Sequence, residues 1–176
     1  MSIAEIFLQS AIKRVCYYKE LGDQTFAQLS ENDFHFIPAE GCNSIAMIIQ
    51  HMHGNMLSRW TNFLQEDGEK DWRKRDAEFE EQNLNKEQLL ALWEEGWKCF
   101  LDVVKSLTEA DLQKTIYIRS KPLTVIDAFN RQFAHYPYHV GQIIYAAKIL
   151  KNKNWKNLSV ERNKSAEYTE NIKNQQ

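Results

Sequence analysis

Large apolar residues recur at helical spacing in four separate stretches of this chain, and that repetition restricts it to helices that must bury one face each. The clearest stretch is 85–107. There Leu89, Trp93, Trp97, Phe100, Val104 and Leu107 fall on one face at about 100° per residue. Asn85, with Gln88 three residues on, forms a capping-box pattern that sets its start. Residues 2–29 carry Ile3, Phe7, Leu8, Ala11, Val15, Tyr18 and Leu21 on one broad face. A second helix is expected from Ser44 to Gln65, with Asn43 as its N-cap and an arc running from Ile45 to Phe63. The last spans 125–151, opened by a further capping-box pattern at Thr124 and Asp127. Four such stripes predict an all-α four-helix bundle. Gly96 sits on the apolar face of its helix, where it allows a close helix approach.

Between the helices the signals change. Pro38 and Gly41 break the connection 30–43, and Ser30 with Asp33 can cap a short turn inside it. Residues 66–84 are charged and lack helical period, so a long surface loop is expected. Within it, Trp72-Arg73-Lys74-Arg75 is followed at once by Asp76, Glu78, Glu80 and Glu81, and reads as a solvated mixed-charge stretch. Loops of this length are often functional or mobile. Thr115 to Thr124 reads as two short strands around a turn, a β-hairpin before the last helix. From Asn152 the chain is polar, with Trp155 and Leu158 alone suited to docking. The expected division is a bundle domain at 1–160 and a frayed polar tail at 161–176.

The 22 basic and 24 acidic side chains leave a net charge of −2, which does not suit a nucleic-acid surface. No signal peptide and no membrane span are expected, because no long apolar run is present. Cys16, Cys42 and Cys99 are odd in number and widely spaced, which fits neither a disulfide framework nor a zinc ribbon. They are expected to be buried small hydrophobes in a cytoplasmic protein.

The chemistry rests on histidine. His135 and His139 lie one turn apart in the last helix, about 40° around its axis, a spacing that can present two imidazoles to one ion. Such a pair also suits two half-buried bundle histidines. Pro137 lies between them and removes a helical donor, at a typical cost of ~3 kcal/mol. It is either a distortion kept for a site or a tolerated bend. A third ligand would come from a facing helix, and the second helix offers His51 and His53, about 200° apart. His51 lines up with Asn55 and Arg59 at spacings of four, like a polar edge facing a cleft. His53 lies near Ile49, Trp60 and Leu64. The apolar arc does not choose between them.

Ser44-Ile45-Ala46-Met47-Ile48-Ile49-Gln50-His51-Met52, followed by His135-x-x-x-His139-Val140-Gly141-Gln142-Ile143, resembles the DinB/YfiT-like superfamily of bacterial four-helix bundles. Within it the chain is most similar to an uncharacterised DinB-like subfamily. That closer likeness rests on Gly54-Asn55-Met56-x-Ser58-Arg59-Trp60, Asp67-Gly68-Glu69-Lys70 and Arg75-Asp76-x-Glu78-Phe79, and the resemblance spans about residues 5–160. It implies a divalent metal ion on His51, His135 and His139, and so prefers His51 to His53. Zn or Ni suits such a site best, with Fe, Mn or Cu also compatible. Three imidazoles leave open positions, the layout of a catalytic centre. The implied activity is a metal-dependent hydrolase or a transferase that uses a low-molecular-weight thiol as cosubstrate. The alternatives are a non-catalytic metal-binding or stress-response module and a metal-free bundle. Asn55 and Arg59 are the candidate substrate contacts, Arg59 as a carboxylate clamp or an ordinary surface salt bridge. Gln142 is the candidate for orienting an imidazole, and Asp127 fits a helix cap better than that role. Tyr136 and Tyr138 are expected to pack. The expected partner is a small-molecule substrate; family members often form a homodimer, which the sequence itself does not show.

Overall fold

Helices form where the apolar periodicity places them, in a computed structural model that describes residues 1–174: α1 (Ile3–Phe26), α2 (Ile45–Trp60), α3 (Lys86–Ser106) and α4 (Val125–Lys151). Their starts are fixed by side chains that satisfy otherwise orphaned amides. Ser2 with Glu5 and Asn85 with Gln88 form reciprocal capping boxes, and Thr124 accepts from the Asp127 amide. At α2 the cap is Ser44 rather than Asn43, because the Ser44 hydroxyl reaches the Met47 amide at 3.2 Å. The same helix stops at Trp60, short of Gln65. Thr61 is extended and Asn62 takes a left-handed conformation (φ 51°), which asparagine tolerates and a continuing helix does not.

The four helices form a ring. α2 packs most extensively on α3, and α1 on α4; weaker α2–α4 and α1–α3 contacts close it. Gly96 permits a close approach of α3 to α2, since a Cβ there would lie 3.2 Å from the His53 Cα. The core is aromatic: Trp60, Trp93, Trp97, Phe100, Phe129 and Tyr136 are fully buried. Trp93 Nε1 donates to Asp23 at 2.7 Å, which satisfies a polar group that burial would otherwise penalise. α4 continues unbroken through Pro137.

β1 (Thr115–Ile118) and β2 (Lys121–Thr124) form the antiparallel hairpin, with Ile118 opposite Lys121. Ile116 and Ile118 are buried and Thr115 and Tyr117 exposed, the alternation a half-buried strand requires. Arg119 and Ser120 make the turn with φ of 55° and 59°. Neither is the usual choice for such a turn. Both amides donate to the Asp67 carboxylate, at 2.8 and 2.7 Å, and this holds the conformation.

The segment 66–84 is a surface loop as expected, with only Gly68, Lys70 and Glu78 buried, but this contact shows that it is anchored rather than free. Gly68 donates to the Tyr117 carbonyl at 2.8 Å, and its own carbonyl accepts from Ser58 at 2.6 Å and from Arg59. The segment is therefore clamped between the hairpin and α2. It then makes a 3-10 turn at Asp76–Phe79 that packs on α2. Not all of its charges are solvated: the Arg73 and Glu78 side chains are buried as an ion pair, and buried Lys70 pairs with the exposed Glu66.

Further differences are local. Cys42 is exposed and Cys16 and Cys99 are half-buried, not core residues. Trp155 docks on the core as expected. The segment expected to fray carries a short helix, α5 (Ser165–Lys173), with no buried residue. No helix among the described residues is long and apolar enough to cross a membrane.

Candidate metal centre

α2 and α4 face each other in the ring, and this brings His51 to the pair His135 and His139. The Nε2 atoms of His51 and His135 lie 3.4 Å apart, and those of His135 and His139 3.1 Å. All three ligand atoms lie within 4.8 Å of one another. Nitrogens at ~2.0–2.1 Å from a tetrahedral ion sit about 3.3 Å from each other, so the spacing suits a single metal ion. The cluster is capable of coordinating one.

The outer nitrogens fix which atom faces inward. His51 Nδ1 lies 2.9 Å from Glu78 Oε2. An ionised carboxylate only accepts, so in the neutral imidazole the proton sits on Nδ1 and Nε2 carries the lone pair. His139 Nδ1 is 2.8 Å from Gln142 Oε1, with the same consequence. Lone pairs of His51 and His139 thus converge on His135 Nε2, which can donate to only one of them at a time, whereas a cation can accept from all three imidazoles. Burial, with the charges of His139, His51, Arg131 and Arg73 adding to it, pushes the pKa of His135 down to about 3. Burial brings His139 down to about 4, against the hydrogen bond it donates to Gln142. Both are neutral at pH 7, the form that binds metal.

Glu78 is the residue on which His51 depends. Burial alone would raise its carboxyl, but hydrogen bonds from His51 and Arg73 and the Arg73 charge outweigh this and hold it below the ordinary carboxylate range. Arg73 engages it through two contacts, Nε–Oε1 at 2.7 Å and Nη2–Oε2 at 2.9 Å. Gly54 lies directly beneath it on α2, where a Cβ would come within 2.2 Å of Oε1. The next residue, Phe79, stacks on the His51 ring with centroids 4.7 Å apart. One 3-10 turn therefore fixes His51 by a hydrogen bond and by a ring contact.

His53 points elsewhere and pairs with Glu95 of α3 at 2.8 Å. Asn55 and Arg59 both border a cavity of about 500 Å³ that opens beside His51 and His135. Asn55 Oδ1 accepts from the Tyr136 hydroxyl at 3.2 Å. Arg59 is neither a surface salt bridge nor an uncommitted clamp: it is buried, donating to the Gly68 carbonyl and to Glu69. Tyr136 packs in the core, whereas Tyr138 is exposed at the cavity and accepts from Gln142 at 3.0 Å. Asp127 is exposed in the first turn of α4, away from the cluster.

Sequence reasoning missed Glu78, Phe79 and Arg73, because loop contacts carry no periodicity. One signal was present. A buried ligating histidine calls for a carboxylate on its outer nitrogen, and Arg75-Asp76-x-Glu78-Phe79 offered one.

A helical bundle with an inward-facing histidine triad is the class that fold and site define. The chain matches the family described as "Protein of unknown function (DUF1572)" over residues 2–164. It belongs to that family, part of the DinB/YfiT-like metalloenzyme superfamily. No curated protein and no solved structure matches it.

Proposed function

We propose that the protein is a metal-dependent enzyme acting on a small molecule, either a hydrolase or a transferase that uses a low-molecular-weight thiol. The carrying observation is the triad itself: Nε2 atoms 3.1 and 3.4 Å apart, oriented from behind, beside an open cavity. Closed structural sites use four protein ligands, and catalytic ones commonly use three. Zn or Ni fits an all-imidazole donor set best. Bound there, a divalent ion would supply Lewis-acid chemistry, polarising a substrate oxygen and making water or a thiol nucleophilic at neutral pH.

The chain's own residues set up that chemistry. Glu78 and Gln142 hold the tautomers of His51 and His139. Arg73 balances the Glu78 charge, so the carboxylate stays ionised although buried. Asn55 and Arg59 border the cavity where substrate would sit, Asn55 one turn beyond His51.

Zinc- or nickel-loaded protein, beside His135→Ala, should be assayed for ester and amide hydrolysis and for transfer of a low-molecular-weight thiol to electrophiles. Turnover that requires the thiol and is lost in His135→Ala assigns the transferase; thiol-independent turnover with the same loss assigns the hydrolase. Stoichiometric metal with no turnover in either assay moves the assignment to a non-catalytic metal-binding module.

A further inference from the structure

The cavity beside the histidines is lined by five arginines, Arg59, Arg73, Arg75, Arg119 and Arg131, and by no carboxylate. In a chain of net charge −2 this concentration of positive charge does not follow from composition. Three of the five are committed to the fold. Arg59 serves the Gly68 carbonyl and Glu69, Arg73 serves Glu78, and Arg119 donates to Glu69 at 2.8 Å.

The other two are not. Arg131 has no ion pair and no side-chain hydrogen bond among the described residues, and it lies one turn before His135 on α4. The Arg75 guanidinium lies 3.8 Å from Asp76, whose carboxylate is fully exposed. Its carbon sits 5.3 Å from the centre of the Phe79 ring, the ring that stacks on His51. One guanidinium thus comes from α4 and the other from the 66–84 segment, both beside the metal centre. A separate observation also points to a ligand. Gln132 lines the same cavity, is 3% exposed, and its Oε1 has no hydrogen-bond partner. Buried polar atoms are normally paired, so this one is left for a donor that the protein does not supply.

We propose that this cavity binds a small substrate through an oxyanion, a carboxylate or a phosphate, held by Arg131 and Arg75, with a hydroxyl or amine donated to Gln132. The inference rests on the reading of the cavity as the substrate site. The planar guanidinium fork can engage two oxygens of either a carboxylate or a phosphate, and a cavity poor in acids strengthens the contact.

The test is calorimetric titration of the purified full-length chain, zinc-loaded and chelator-treated, with inorganic phosphate, succinate and neutral succinamide. Phosphate or succinate should bind both forms, more weakly as salt rises, and succinamide should not. Arg131→Gln and Arg75→Gln, both at exposed positions, should each lower the affinity about tenfold at unchanged zinc content. Preference for phosphate assigns a phosphate ester, and preference for succinate a carboxylate. Equal binding of succinamide, binding only in the presence of zinc, or wild-type affinity in both variants overturns the inference. If His135→Ala keeps the anion and wild type holds no zinc, the metal reading fails and this one stands.

Discussion

Glu78→Gln preserves side-chain volume and removes charge at the one carboxylate that touches both His51 and Arg73. Two costs follow, and they can be measured apart. The Arg73 side chain is 2% exposed and that of Glu78 9%, so the variant leaves a guanidinium buried without its counter-charge. Breaking a buried pair from one side costs about 3–5 kcal/mol. The second cost falls on the metal, because a carboxylate behind a ligating imidazole typically contributes about 10–100-fold in affinity. Urea denaturation of chelator-treated protein reads the first, and competition with a zinc indicator reads the second. The variant should lose about 3 kcal/mol or more of stability, and zinc affinity should fall about tenfold or more. In Arg73→Met/Glu78→Gln no charge is left buried, so part of the stability should return while the zinc deficit persists. Stability within about 0.5 kcal/mol of wild type, together with unchanged zinc affinity, would refute the role given to Glu78.

Gly54→Ala places a methyl 2.2 Å from Glu78 Oε1, so it should reproduce the zinc deficit and cost about 1–3 kcal/mol in a denaturation curve. His53→Ala should retain wild-type zinc by elemental analysis, because His53 is engaged with Glu95, whereas His139→Ala should lose it. In the chelator-treated protein His135 and His139 titrate at about 3 and 4, below the ordinary histidine value, so the unfolded chain takes up protons first as pH falls. Stability should therefore decline from about pH 6.5 toward pH 4 and lose nothing to these two groups above pH 7. Urea midpoints across that range check the sign.

The parts of the fold written in local chemistry were legible. Asn85 with Gln88 marked the start of α3, and α4 opened at Thr124 as its cap required. The hairpin appeared where Thr115–Ile118 alternates. The histidine cluster was partly legible: helical spacing paired His135 with His139, but spacing alone did not choose His51 over His53. That choice depends on how α2 packs on α3, where His53 lies against Gly96 and pairs with Glu95. What could not be read was the 66–84 segment. Its charges look solvated in sequence, yet Asp67 caps the hairpin turn, Gly68 links it to α2, and Glu78 reaches His51. Each contact joins residues far apart in the chain and leaves no periodic trace.

The central claim is that His51, His135 and His139 hold one divalent ion. Elemental analysis of untagged protein, wild type beside His135→Ala, tests it most directly. Close to one ion per chain is expected in the wild type, as purified or after incubation with Zn or Ni, with a sharp drop in the variant. No ion in either protein after that incubation, or equal occupancy in both, would contradict it.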